Sequence, residues 1–204
     1  MKSIQVTDQD MAQRTLRFKD MQPYKRQHEN SSGIAAEAME RLAAHCVYPI
    51  MVPEGYTGRG AQAPIKGAAG LILSLTESPP GDGAALHIHE QTIENFFCLS
   101  GRFLIEWGDE GGQSIELGPL DFCSIPPGVV RGFRNISNET GRLLAIIHVQ
   151  SASQADRIAF TPRMGQGIAS DFGNATVDAL TKIGIHFDAG LDAPPSVETA
   201  SIKA

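Results

Sequence analysis

The chain predicts an all-β fold with short flanking helices, and three observations carry that expectation. Between Leu71 and Gln150, short apolar or alternating segments are separated by turn residues every eight to twelve positions, the rhythm of an all-β protein. On either side that rhythm is lost and stretches of good helix formers appear. At 204 residues the chain is long enough for one well-cored domain, because domains commonly run to roughly 100–200 residues.

The elements follow in order. Residues 1 to about 32 are polar and mixed, and the alternation Arg14-Thr15-Leu16-Arg17-Phe18-Lys19 predicts a single strand within an arm. From Gly33 to Ala44 the residues favour one helix, with Ser31 or Ser32 as N-cap. Glycines and prolines between Pro53 and Gly70 predict a loop. Within it Gly58-Arg59-Gly60-Ala61-Gln62-Ala63 fits the loose G-x-G-x-x-A form of a dinucleotide loop. That function requires a strand before it and a helix after it, whereas Pro53-Glu54-Gly55 precedes it and Pro64 follows.

Eight strands are expected at 71–77, 85–90, 93–100, 102–108, 113–118, 121–126, 130–136 and 142–150. Asp109-Glu110-Gly111-Gly112 and Ser137-Asn138-Glu139-Thr140-Gly141 read as hairpin connections. Beyond Gln150, residues 171–182 predict an amphipathic helix ending near Gly184, and the tail from Gly190 is expected to fray. The organisation is therefore an arm, helix and loop at 1–70, a barrel at 71–150, and a helix and tail at 151–204.

Composition narrows the function. Hydrophobic residues make up 42% and charged residues 20%, as in ordinary globular proteins. The formal charge is -6, and the basic residues Arg14, Arg17, Lys19, Lys25 and Arg26 are scattered, so nucleic acid is not an expected partner. The first residues lack an apolar signal segment and no stretch reaches the roughly 18 apolar residues of a membrane helix. A cytoplasmic protein without a membrane partner is the expectation. Cys46, Cys98 and Cys123 are far apart and include no C-x-x-C, which argues for reduced thiols rather than a disulfide framework or structural zinc. No G-x-S-x-G is present, and nothing supports nucleophilic catalysis.

The residues that carry chemistry are His87, His89 and Glu94. In a strand, side chains two apart share one face, whereas in a helix they would diverge by about 200°. His87 and His89 are thus partners if they lie on a strand. Glu90-Gln91-Thr92 can form a turn that brings Glu94 on the following strand antiparallel beside them. Two imidazoles and a carboxylate then converge, a set suited to a divalent transition metal with open positions. His28, His45 and His186 read as structural. Phe96 and Cys98 share the face of Glu94, and Phe103, Ile105 and Trp107 share a face of the next strand. Such a stripe forms either barrel core or the wall of a pocket for a small aromatic or apolar compound.

The full spacing is Gly81, five residues, His87, one, His89, four, Glu94, six, Gly101. That string resembles the first motif of the cupin superfamily at each defining position. Pro126-Pro127-Gly128-Val129-Val130-Arg131-Gly132-Phe133-Arg134-Asn135 resembles the second motif, and together the two span about 55 residues. The resemblance implies a double-stranded β-helix of jelly-roll form. It also implies a homodimer, paired through sheets and swapped N-terminal segments, with residues 1 to about 30 as the arm.

Two positions depart from the pattern. The glycine before the acidic residue of the second motif is Leu120, before Asp121. The third histidine ligand of the family falls at Arg131, and a guanidinium donates hydrogen bonds only, so it does not ligate a metal. Arg131 either anchors an anionic substrate or pairs with Glu94. His148 shares a strand face with Leu144 and Ile146 and is a further candidate ligand if that face points inward.

The resemblance implies a mononuclear centre at His87, His89 and Glu94, Fe(II) before Mn, Ni or Zn, with dioxygenase-like chemistry on a small organic acid or aromatic and with Arg131 and Glu94 as reacting-site groups. The alternatives are a metal-free barrel that binds a small anion through Arg131, and a non-oxidative metal isomerase or lyase.

Overall fold

The computed structural model describes residues 1–67, 69–148 and 157–190, apart from the side chains of residues 27, 28, 30 and 31. The strands are β1 (Cys46–Pro53), β2 (Ile65–Gly67), β3 (Leu71–Ser78), β4 (Gly83–His89), β5 (Ile93–Ser100), β6 (Phe103–Trp107), β7 (Gln113–Leu117), β8 (Phe122–Ile125), β9 (Arg131–Asn135), β10 (Gly141–His148), β11 (Ile158–Phe160) and β12 (Ile185–His186). They form two six-stranded sheets, one in the order β2-β1-β3-β10-β5-β8 and the other β12-β11-β4-β9-β6-β7. The result is an all-β double-stranded helix with short helices at both ends, α1 (Asp8–Gln13), α2 (Tyr24–Ser32), α3 (Ala36–Glu40), α4 (Pro162–Phe172) and α5 (Asn174–Lys182).

The eight expected barrel strands form, as β3 to β10, with residues 149 and 150 of the last lying outside the described residues. Their connections differ from the expectation. Consecutive strands mostly alternate between sheets, so β4 and β5 lie in opposite sheets, as do β9 and β10. Residues 137–141 therefore cross from one sheet to the other instead of closing a hairpin. Buried Asn135 ties that crossing, donating to the carbonyls of Ser78 and Glu139 at 2.7 Å each and accepting from the Ser137 N–H at 2.9 Å. Among β3 to β10 the hairpin is β6–β7, around residues 108–112.

The inward positions of both sheets fill one end of the barrel with Phe96, Cys98, Phe103, Ile105, Phe133, Leu143 and Ala145. Of the stripe, Cys98, Phe103 and Ile105 are core, Phe96 is core that also lines a cavity, and Trp107 is outside the core cluster. Gly101 allows the two layers to meet there, since its φ is +79° and a Cβ would lie 2.8 Å from the Gly141 Cα. At Leu120 the backbone keeps the conformation a glycine would adopt, with φ 73°, the one positive φ outside glycine among the described residues. The substitution has kept the turn and strained it.

Both flanks enter the sheets. Residues 46–53 add β1 beside β3, despite two prolines. Pro49 sits at the register shift and in the part of β1 that β2 does not reach, where a missing N–H is tolerated. Residues 14–17 form no strand. The helix expected over 33–44 is interrupted: α2 ends at Ser32 with Gly33 in the left-handed conformation, and only Ala36–Glu40 is helical thereafter. Likewise the helix after the barrel begins earlier, as α4, and Gly173 at φ 86° separates it from α5. A second apolar cluster joins these flanks, with Ile34, Met39 and Leu42 packed beside Ile158, Phe160, Ile168, Leu180 and Ile185. The expected fraying from Gly190 falls beyond Gly190, outside the described residues.

Candidate metal centre and its cavity

His87 and His89 point inward from β4, and Glu94 points inward from β5 in the opposite sheet. The three converge across the barrel rather than between neighbouring strands. The carboxylate oxygen Glu94 Oε2 lies 4.0 Å from His87 Nε2 and 3.8 Å from His89 Nε2, and the three donor atoms all lie within 4.8 Å of one another. All three residues are buried.

Each imidazole is held by its other nitrogen. His87 Nδ1 donates to the Ala85 carbonyl at 2.7 Å, which in the neutral ring leaves Nε2 as the lone-pair nitrogen facing the cluster. His89 Nδ1 lies 2.9 Å from the Thr92 hydroxyl. The Phe160 ring stacks on His87 with centroids 5.2 Å apart. Burial and then the Arg131 cation hold the His89 imidazole well below its ordinary 6.5, so this ring is neutral at physiological pH. Burial pushes the Glu94 carboxyl up, but the Arg131 cation and its hydrogen bonds outweigh it, and the group sits below its ordinary 4.5 and is ionised.

Arg131 is fully buried, at 0% exposure. It lies beside His87 in the β4–β9 register and donates to Glu94 Oε2 from Nε at 3.0 Å and from Nη2 at 2.7 Å. Of the two expectations for Arg131, the structure has the pair with Glu94. The pair compensates two charges that would otherwise be costly to bury.

His148 does not join the cluster. Along β10 the buried positions are Leu143 and Ala145, so His148 falls on the opposite face and is exposed. The period of two that groups it with Leu144 and Ile146 held; the inward face is the other one. His45 pairs with Glu40 on the surface at 3.2 Å, His186 is in β12, and the His28 side chain is outside the described residues.

The donor set suits a divalent transition metal: two imidazole nitrogens, each ring held through its other nitrogen, and one ionised carboxylate, which Arg131 holds at the same oxygen, Oε2, that faces the imidazoles. The cluster opens into a cavity of about 150 Å³. Much of that cavity comes from outside the barrel strands, through Tyr24, Met39, Tyr56, Arg59, Phe160 and Ile185. None of these was singled out for function by motif spacing. Arg59 alone lay in a conspicuous motif, the Gly58–Ala63 loop.

Residues 74–147 match the family model described as Cupin domain. Over 70 residues the chain is 39% identical to quercetin 2,3-dioxygenase of Bacillus subtilis (strain 168), a stretch that is 34% of this chain and 20% of that protein. The chain thus spans about a fifth of the length of this relative. Among solved structures it is similar to the polyketide cyclase RemF from Streptomyces resistomycificus, with 26% identity, a TM-score of 0.37 and coverage of 42% of this chain and 58% of that one. It is also similar to a predicted oxalate decarboxylase from Thermotoga maritima, with 24% identity, a TM-score of 0.36 and coverage of 38% and 65%. The family match thus lies on residues 74–147, and the two six-stranded sheets are consistent with the double-stranded β-helix that this domain model describes.

Proposed function

We propose that the protein is a mononuclear metal-dependent enzyme in which His87, His89 and Glu94 hold the ion, Fe(II) in preference to Mn, Ni or Zn, and which acts on a small, anionic, largely apolar or aromatic compound. The observation that carries this reading is the three-donor cluster opening into an apolar cavity. A bound ion of this kind supplies a Lewis-acidic centre with open positions for substrate and oxygen. Dioxygenase-like oxidation is the favoured reaction, supported by the relative named as a dioxygenase.

The chain's own residues have definite parts. Arg131 keeps the Glu94 carboxylate ionised and turned toward the two imidazoles. Ala85 and Thr92 orient the imidazoles. Phe96, Phe133 and Phe160 line the cavity and keep bulk water from the bound compound, which strengthens polar interactions inside it. Oxygen uptake by Fe(II)-reconstituted protein with a panel of small aromatic acids tests the reaction. Uptake lost in His89→Ala supports oxidation. Turnover of an acid without uptake favours an isomerase or lyase acting at the same centre.

One observation favours a second reading, a metal-free anion binder: Glu94 Oε2 already accepts two hydrogen bonds from Arg131. On that reading the wild-type protein takes up no metal and Arg131→His creates the affinity. On ours the wild type already binds.

We also infer a cytoplasmic homodimer. Among the described residues no helix is long and apolar enough to cross a membrane. Helix α1 buries none of its residues, and Ile4, Val6 and Met11 are exposed, as suits an arm that packs on a second copy. Sedimentation of a monomer at micromolar concentration would overturn the dimer.

A further inference from the structure

The cavity contains a second arginine whose situation is the reverse of Arg131's. Arg59 lies in the loop between β1 and β2, lines the cavity together with His87, His89 and Glu94, and is half-buried. The hydrogen bond it makes is a long one, from Nη1 to the Gly184 carbonyl at 3.4 Å. No carboxylate pairs with it among the described residues. A guanidinium presents five N–H donors in a planar fork, so most of its donor capacity is left for a ligand.

The charges around the cavity favour an anion there. Among the described residues, Glu94 and Arg59 are its charged lining residues, and the charge of Glu94 is balanced by Arg131 from outside the lining. Arg59 therefore gives the cavity its net positive charge. A metal at the cluster would add to that charge and not replace it. The Tyr24 phenol, also in the lining, is pushed up by burial and remains a neutral hydrogen-bonding group. The rest of the lining is largely apolar, with Met39, Leu42, Ile72, Phe96, Phe133 and Phe160 among it. A cavity of about 150 Å³ has room for a body of roughly benzene size.

We propose that Arg59 is the anion anchor of this cavity, receiving the carboxylate of a small aromatic or branched aliphatic monoacid whose apolar body lies against the phenylalanine walls and reaches toward His87, His89 and Glu94. This rests on the cavity being the ligand site, as argued above, and not on occupancy of the metal cluster. It gives the Gly58–Ala63 loop a function other than nucleotide binding: Gly58 and Gly60 flank the arginine that faces the cavity. It also moves the anchoring function away from Arg131, whose guanidinium is spent on Glu94.

The test is calorimetric titration of the chelator-treated full chain with benzoate and with its neutral isostere benzamide, and with phenylacetate and its amide, for the wild type, Arg59→Gln and Arg59→Lys. The wild type should bind one or both carboxylates about 10- to 100-fold more tightly than the matching amide, the range expected for a charge-assisted hydrogen bond. Arg59→Gln should abolish that preference while leaving amide binding within about twofold, which also reports an intact cavity, and Arg59→Lys should keep part of it. Equal binding of carboxylate and amide by the wild type overturns the proposal, as does an undiminished preference in Arg59→Gln. Because the protein is metal-free throughout, failure here leaves the metal reading standing, and an absent metal leaves this result standing.

Discussion

Arg59 lines the cavity and Arg131 lies outside its lining, bound to Glu94, and the two arginines serve opposite ends. Arg131 is fully buried in β9 and gives two hydrogen bonds to one carboxylate oxygen. Arg59 stands on a loop, half-buried, with one long bond to a carbonyl. Desolvation separates them. A buried guanidinium without a countercharge is too costly to keep, so Arg131 is bound to Glu94 by its burial, whereas Arg59 keeps enough water to remain unpaired until a ligand arrives. The position that matches a family's ligand is here a structural cation, and the cation suited to a ligand comes from outside the family match at 74–147.

The largest expected effect tests the Arg131 side. Arg131→Met leaves the Glu94 carboxylate buried without a partner, and should destabilise the fold by about 3–5 kcal/mol, read by urea denaturation. A loss under about 1 kcal/mol would mean that water reaches the pair and that the contrast with Arg59 is wrong.

The second effect is a pH dependence. His89 has a folded-state pKa below its ordinary 6.5, in part through Arg131. As pH falls below about 6.5 the unfolded chain takes up this proton before the native state does, so stability is present above that value and declines below it. Glu94 is depressed as well. Its contribution is present above about 4.5 and is lost as pH falls through the still lower folded value. In urea titrations at a series of pH values, His89→Gln should flatten the first decline and retain the second.

Smaller effects follow. Leu120→Gly should stabilise by about 0.5–1 kcal/mol, because it relieves a left-handed leucine that is 74% exposed and loses little packing. No gain in melting temperature would show that the turn is unstrained. Smallest of all, Arg59→Gln should change stability by less than about 0.5 kcal/mol, since among the described residues it gives up a long bond to Gly184. A larger loss would make Arg59 a second structural cation.

The barrel was legible in the sequence because its signal is local. Alternation and turn residues mark β3 to β10, and the spacing of His87, His89 and Glu94 gave the cluster. Which sheet each strand joins was not local. Antiparallel pairing of β4 with β5 and a hairpin at 137–141 were expected, and both connections cross between sheets, because the barrel buries two inner faces and a chain of short links must serve both. The face of β10 was equally undetermined, since Leu144, Ile146 and His148 alternate with residues just as apolar, and only packing chose Leu143 and Ala145 for the interior. Strand β1 was hidden by Pro49 and Pro53, although Val47, Tyr48, Ile50 and Val52 have the residue types of a strand. The cavity walls from Tyr24, Tyr56 and Phe160 depend on contacts between segments far apart in the chain, which no spacing records.

The central claim is that His87, His89 and Glu94 hold a divalent transition metal while Arg131 holds Glu94. Elemental analysis of protein purified without chelator, alongside His87→Ala prepared identically, tests it most directly. The account predicts close to one transition-metal ion per wild-type chain and a loss of most of it in the variant. Equally little metal in both would contradict it.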